Sequence, residues 1–187
     1  MGRISLLFIC LFSLFPASGW AWDLALGLQR TKPQIGYHQQ TYQSDAGNWS
    51  FKPDGEETIF GQALTLDLII DWAMIEYEQS EYKTTTKTSD SSGNLVELSP
   101  TFTQERLGLY FSAERELAGF FIGGGFDRSK ESFDYNGNTY RYEGTSPYAK
   151  AGILMIFGPF RVRAEQLHSS IGEHFLKTNS LGLLLQF

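Results

Sequence analysis

His168-Ser169-Ser170, with Glu165 upstream and Glu173 downstream, is the segment whose residue types come nearest to nucleophilic chemistry. A histidine and a serine two apart along a strand share a face. His168 could then act as base and Ser170 as nucleophile, with Glu165 or Glu173 as the orienting acid. The same residues also read as an ordinary polar passage from strand into loop.

A second set is spread along the chain: Asp67, Glu76, Glu78 and Glu165 against Arg106, Lys150, Arg161 and Arg163. Each sits in an apolar segment at a position alternating with leucine, isoleucine, phenylalanine or alanine. Opposed charges on one side of such strands can serve as an ion-selective constriction or as a structural plug of salt bridges. Eight strands leave an interior only wide enough for side chains to fill, which favours the plug. Gly123-Gly124-Gly125 lacks the strand-turn-helix setting of a phosphate cradle and reads as relief of crowding in a tight sheet. His38, His168 and His174 are too dispersed to argue a metal site, and no motif calls for a cofactor.

The elements that must position these residues are eight amphipathic strands, at 22–31, 59–70, 74–82, 101–112, 118–128, 148–157, 160–167 and 181–187. Their apolar faces alternate with period two. In the last of them Leu181, Leu183, Leu185 and Phe187 share one face, and Gly182, Leu184 and Gln186 the other. Connections alternate between brief turns, at 71–73, 112–117 and 158–159, and long polar loops, at 39–58, 84–100 and 129–147, with a shorter loop at 168–174. Short turns on one side and long loops on the other make an all-β, eight-stranded antiparallel up-and-down transmembrane β-barrel with periplasmic termini. Trp22, Trp72, Phe111, Phe120, Phe157, Phe160 and Phe187 fall at the short-turn ends, as an interfacial ring belt would. Phe60, Tyr82, Phe102, Phe126, Tyr148 and Phe175 fall near the other rim. A soluble, lipocalin-like barrel would bury its leucines and has no need to balance charge on a solvated exterior.

Residues 1–21 read as a signal peptide: Arg3, an apolar run over 4–15, Pro16, then small residues with cleavage after Gly19 or Ala21. The run is shorter than the roughly 20 residues of a membrane-spanning helix. Residues 22–187 form one expected domain, exported to the cell outer membrane of a Gram-negative envelope. Cys10, the chain's single cysteine, leaves with the leader, and with it any disulfide or thiolate chemistry. Lys and Arg total 15 against 21 Asp and Glu. That excess of acid makes nucleic acid an improbable partner.

The signal peptide, eight amphipathic strands, long outer loops and the Leu183-Leu184-Leu185-Gln186-Phe187 ending resemble the small outer-membrane barrels of the OmpA and OmpX type. The resemblance implies that Phe187 is read by the barrel-assembly machinery and that lipid and lipopolysaccharide surround the protein. It also implies roles ranging from adhesion and envelope structure to lipid A modification. His168-Ser169-Ser170 resembles the histidine-any-serine element of the outer-membrane lipid A deacylases, although Ile171 stands where those enzymes have asparagine. The orienting acid expected downstream would fall near Gly182, where there is no carboxylate. The preferred expectation is a non-enzymatic barrel with a charge-plugged lumen, whose tyrosine-bearing outer loops meet the envelope or an extracellular ligand. A lipid A acyl hydrolase is the alternative, and a narrow, porin-like channel for small solutes the weaker one.

Overall fold

The computed structural model describes residues 22–36, 40–44, 47–51, 56–58, 61–89, 95–169 and 175–187. The expected leader at 1–21 lies outside them, as do His38, Phe60, Ser170, Glu173 and His174. Thirteen strands run in chain order: β1 (Trp22–Gly36), β2 (Gln40–Ser44), β3 (Gly47–Phe51), β4 (Glu56–Thr58), β5 (Gly61–Ile70), β6 (Ala73–Lys83) and β7 (Thr86–Ser89). They continue with β8 (Leu95–Leu98), β9 (Thr101–Arg115), β10 (Ala118–Tyr135), β11 (Asn138–Phe157), β12 (Phe160–Ser169) and β13 (Phe175–Gln186).

The long strands β1, β5, β6, β9, β10, β11, β12 and β13 each pair antiparallel with the next. β13 returns to β1, from Ala25 opposite Gln186 to Ile35 opposite Phe175, so the sheet has no open seam. Closure satisfies the ladder of every barrel strand without an edge, the condition for placing backbone in hydrocarbon. The short turns are two residues long. Asp71 and Gly158 take positive φ there, 54° and 60°.

Side chains divide as the alternation requires. Leu26, Leu28, Leu64, Ile75, Leu107, Leu109, Ile122, Ile153, Leu181 and Leu183 are exposed on the outside, while Thr65, Asp67, Glu76, Glu78, Arg106, Lys150 and Arg163 are buried within. Gly108 lets the interior fill: a Cβ there would run into the Tyr110 and Tyr148 hydroxyls. At Gly125 a Cβ would meet the Leu107 carbonyl and the Gly108 backbone of β9, so a close strand approach depends on its absence.

The turn-side aromatic belt is present. Trp22, Trp72, Phe111, Phe120, Phe157, Phe160 and Phe187 are all exposed at that end, and Trp72–Phe111 and Phe111–Phe120 ring centroids lie 6.2 Å apart. The opposite rim departs from expectation. Tyr82, Phe102 and Tyr148 are buried inside and Phe126 faces out, while Phe60 and the Phe175 side chain lie outside the described ones. Their parity with the lumen charges, rather than their place at strand ends, decides their side.

The long loops also carry more structure than their polarity indicates. Residues 129–147 are no loop: β10 and β11 continue as a paired hairpin to Tyr135 opposite Asn138. The turn is Asn136-Gly137, with φ of 50° and 79°. Positive φ at both central residues suits the right-handed twist of a hairpin, and Asn-Gly adopts it most readily. β11 has 20 residues, whereas a tilted transmembrane strand needs about 9–11, so roughly half of this hairpin stands beyond the barrel wall. The other two loops hold short hairpins, β2 with β3 and β7 with β8. β2 joins the raised sheet through Gln43 opposite Arg141. Leu98 and Phe133 are buried there against Val96, Tyr135, Tyr140 and Tyr142, and the Phe133 and Tyr140 rings stack at 5.4 Å.

Candidate functional site: the ion-pair core of the lumen

A charge in a lumen walled off from water must find partners on other strands, because an isolated buried ion costs several kcal/mol. Lys150, from β11, stands at the centre with its ammonium group on three carboxylates, 2.5 Å from Glu76 Oε1, 3.0 Å from Glu78 Oε2 and 3.0 Å from Glu165 Oε1. Arg163, from β12, spreads its guanidinium over Asp67 (2.8 Å), Glu76 (2.7 Å) and Glu165 (3.0 Å). It also lies 5.4 Å from the Phe121 ring centroid. The planar fork of arginine can meet several carboxylates at once, which suits this role better than an ammonium.

Towards the outer end, Arg106 pairs closely with Glu78 and reaches Asp127 at 3.4 Å. Gln104 closes this group by donating to Asp127 at 2.9 Å and accepting from Arg106 at 2.6 Å. Towards the short turns, Arg161 pairs with Glu114 at 2.5 Å and donates to Gln186 at 2.7 Å. The Tyr110 hydroxyl donates to Glu76 at 3.1 Å and lies 2.7 Å from that of Tyr148. The Gln29 amide is placed so that its nitrogen can donate to Glu165 at 3.0 Å. Ion pairs thus tie β5, β6, β9, β10, β11 and β12 together across the interior, and the Gln29 and Gln186 amides bring in β1 and β13.

Asp67, Glu76, Glu78, Arg106, Lys150, Arg163 and Glu165 are therefore brought together, though not as matched pairs, while Arg161 is buried in the same lumen but pairs with Glu114 in a separate group. Asp127 joins the central network and Glu114 forms the separate pair with Arg161, and the sequence singles out neither. Asp127 could have been found, because it shares parity with Phe121 and Gly125 on its strand. Glu114 falls in the 112–117 stretch whose sequence reads as a turn, and the longer extent of β9 is what makes it a lumen residue.

The hydrolase constellation is not assembled by the described residues. Glu165 is buried in the lumen, engaged by Lys150 and Arg163, while His168 is exposed on the outer wall. Three residues is an odd step along a strand, so the two side chains point to opposite faces. His168 Nε2 instead meets Gln166 Oε1 at 2.9 Å, and Gln166 donates to Asn179 at 2.9 Å. Ser170 and Glu173 lie outside the described residues. Phe187 follows β13 with its N–H donating to the Leu24 carbonyl at 2.8 Å and its ring exposed at the turn-side belt.

No protein-family model matches the chain, and no curated protein matches it. Solved structures match in fold. Outer membrane protein OprG from Pseudomonas aeruginosa superposes with a TM-score of 0.63 at 9% identity, over 90% of this chain and 97% of that one. Ail, the attachment invasion locus protein of Yersinia pestis, solved in complex with the heparin analogue sucrose octasulfate, gives 0.61 at 13% identity, over 89% and 99%. Neisserial surface protein A gives 0.55 at 10% identity, over 90% and 98%. At these identities the likeness is one of architecture: the chain has the closed, eight-stranded, antiparallel β-barrel fold of small outer-membrane proteins.

Proposed function

We propose that the chain is an integral outer-membrane protein that neither conducts solutes nor hydrolyses lipid. Its work is done by the strand extension that rises above the barrel on the long-loop side, in a surface-interaction or envelope-structural role. The observation that carries this reading is the occupancy of the interior: Lys150, Glu76, Glu78, Arg163 and Glu165 fill the middle of the lumen with interlocked ion pairs. A solute would have to displace groups whose separation from one another is costly. The extension, in contrast, is braced by the Leu98 and Phe133 cluster with tyrosines around it, and ordered tyrosines among polar groups are common in recognition surfaces. Ail, one of the proteins sharing the fold, was solved in complex with a heparin analogue, so a barrel of this size can bind a ligand. Signal-peptide export and assembly through the terminal Phe187 belong to the same proposal.

The test is a shortened hairpin in which residues 132–141 are replaced by Asn-Gly, expressed beside the intact protein at equal abundance. Cells with the intact protein should attach to heparin-coated surfaces, and cells with the shortened form should lose most of that attachment. Both forms should give no stable conductance in planar bilayers. Equal attachment of the two forms contradicts the role of the extension, and a stable, ion-selective channel from the intact protein restores the solute-channel reading.

A further inference from the structure

The ions of the lumen do not balance. Arg106, Lys150 and Arg163 are linked by direct contacts to Asp67, Glu76, Glu78, Asp127 and Glu165, and all of these side chains are buried. Three cations thus face five carboxyl groups. Arg161 is the one further buried cation among the described residues, and Glu114 already matches it. A charge left over in a space walled off from water is so costly that the group is neutralised instead.

The contacts show which groups are left over. Both oxygens of Glu76, Glu78 and Glu165 face a cation: Lys150 and Arg163 for Glu76 and Glu165, Arg106 and Lys150 for Glu78. Asp67 and Asp127 differ. Asp67 meets Arg163 through Oδ2, and Asp127 meets Arg106 and Gln104 through Oδ2, while Oδ1 of each is buried with no hydrogen-bond partner. Two excess acids and two bare acid oxygens are separate observations, one of charge and one of geometry, and they agree. Across the strand pairs, Asp67 stands opposite Glu76 and Asp127 opposite Ser146, whose Oγ is likewise buried and unpartnered. Like charges directly opposite repel, whereas a protonated carboxyl group can donate to its neighbour. No three of the described acidic or histidine side chains are disposed to hold a metal ion, so the fitting ligand is a proton.

We infer that Asp67 and Asp127 are proton-binding sites, each carrying its carboxyl group un-ionised in the folded barrel at neutral pH, and that these two protons set the electrical balance of the lumen. The charged groups acting on Asp67 are Glu76 of β6, Lys150 of β11, and Arg163 and Glu165 of β12; those acting on Asp127 are Arg106 of β9 and Glu78 of β6. The inference rests on the filled lumen that supports the proposed function and adds a pH response to it. Between weak acid and neutrality the unfolded chain gives up both protons while the folded chain keeps them, so stability falls as pH rises. The plug is therefore firmest in weak acid.

The full chain in lipid vesicles is examined by infrared spectroscopy at neutral pH, where an un-ionised carboxyl group shows a carbonyl stretch apart from carboxylate and amide bands. The intact protein should show that band. Asp67→Asn and Asp127→Asn should each halve it, both together should abolish it, and Glu114→Gln, in the separate pair, should leave it unchanged. In urea, the unfolding equilibrium constant of the intact protein should rise between weak acid and neutrality by about tenfold per pH unit for each retained proton. The double asparagine variant should be flat over that interval. A band that survives the double substitution, or its absence from an intact protein that stays closed in planar bilayers, overturns the bound protons. Its absence from a protein that conducts ions would instead sink the filled lumen beneath them.

Discussion

Replacing Lys150 with methionine will destabilise the folded barrel by about 3–5 kcal/mol, the usual cost of removing one partner from a buried ion pair. The size follows from what is left behind. Glu76, Glu78 and Glu165 all contact the Lys150 ammonium group. Without it Glu78 keeps Arg106, while Glu76 and Glu165 must share Arg163 with Asp67. Methionine matches the length of the aliphatic stem and supplies no charge. The expected readout is a lower urea midpoint in lipid vesicles, with the slope of the transition unchanged. Adding Glu165→Gln to Lys150→Met removes one of the stranded charges and should recover about 1–2 kcal/mol, because relieving an unpaired buried charge returns its desolvation cost. A Lys150→Met variant as stable as the parent would show that water reaches the centre of the lumen and screens these charges.

The second large effect is on the opposite face. Leu109→Arg should cost about 2–4 kcal/mol, since a cation at mid-depth on the lipid side of a barrel strand has no counter-charge and no water. Leu109 lies between the exposed Leu107 and Phe111 on β9, in the middle of the band rather than at its margin. Gln166→Arg, at the polar margin of β12, should change stability by about 0–1 kcal/mol on the same grounds. The contrast is diagnostic. In a water-soluble barrel with this wall exposed, arginine at 109 would be neutral or would aid solubility. Equal, small effects at the two positions would place both outside hydrocarbon.

The transmembrane frame was legible because lipid on one side and a filled lumen on the other impose strict alternation, and β5 displays it from Leu64 to Leu68. Beyond the membrane that constraint lapses. Residues 129–147 carry polar side chains on both faces, the buried Ser129, Glu131 and Ser146 included, so the apolar alternation is lost and they read as a loop. Two local signals were nonetheless present, the Asn136-Gly137 dipeptide and the alternation of Phe133 with Tyr135 and of Tyr140 with Tyr142 on either side of it. The lumen network followed from parity on the strands, and parity alone also separates Glu165 from His168. What composition could not show was the branching of the network, in which Lys150 and Arg163 each serve three carboxylates. That depends on strand stagger around a closed ring, which brings residues far apart in sequence, such as Asp67 and Arg163, within hydrogen-bonding distance.

The most direct test of the inside-outside assignment is nitroxide accessibility at Leu66→Cys, Leu109→Cys and Leu183→Cys, one label at a time, with the protein reconstituted in bilayers. Labels at all three sites should collide freely with dissolved oxygen and scarcely at all with a water-soluble nickel chelate, as groups in hydrocarbon do. Labels shielded from both reagents, or reached by the nickel chelate, would mean that the leucine face does not meet lipid.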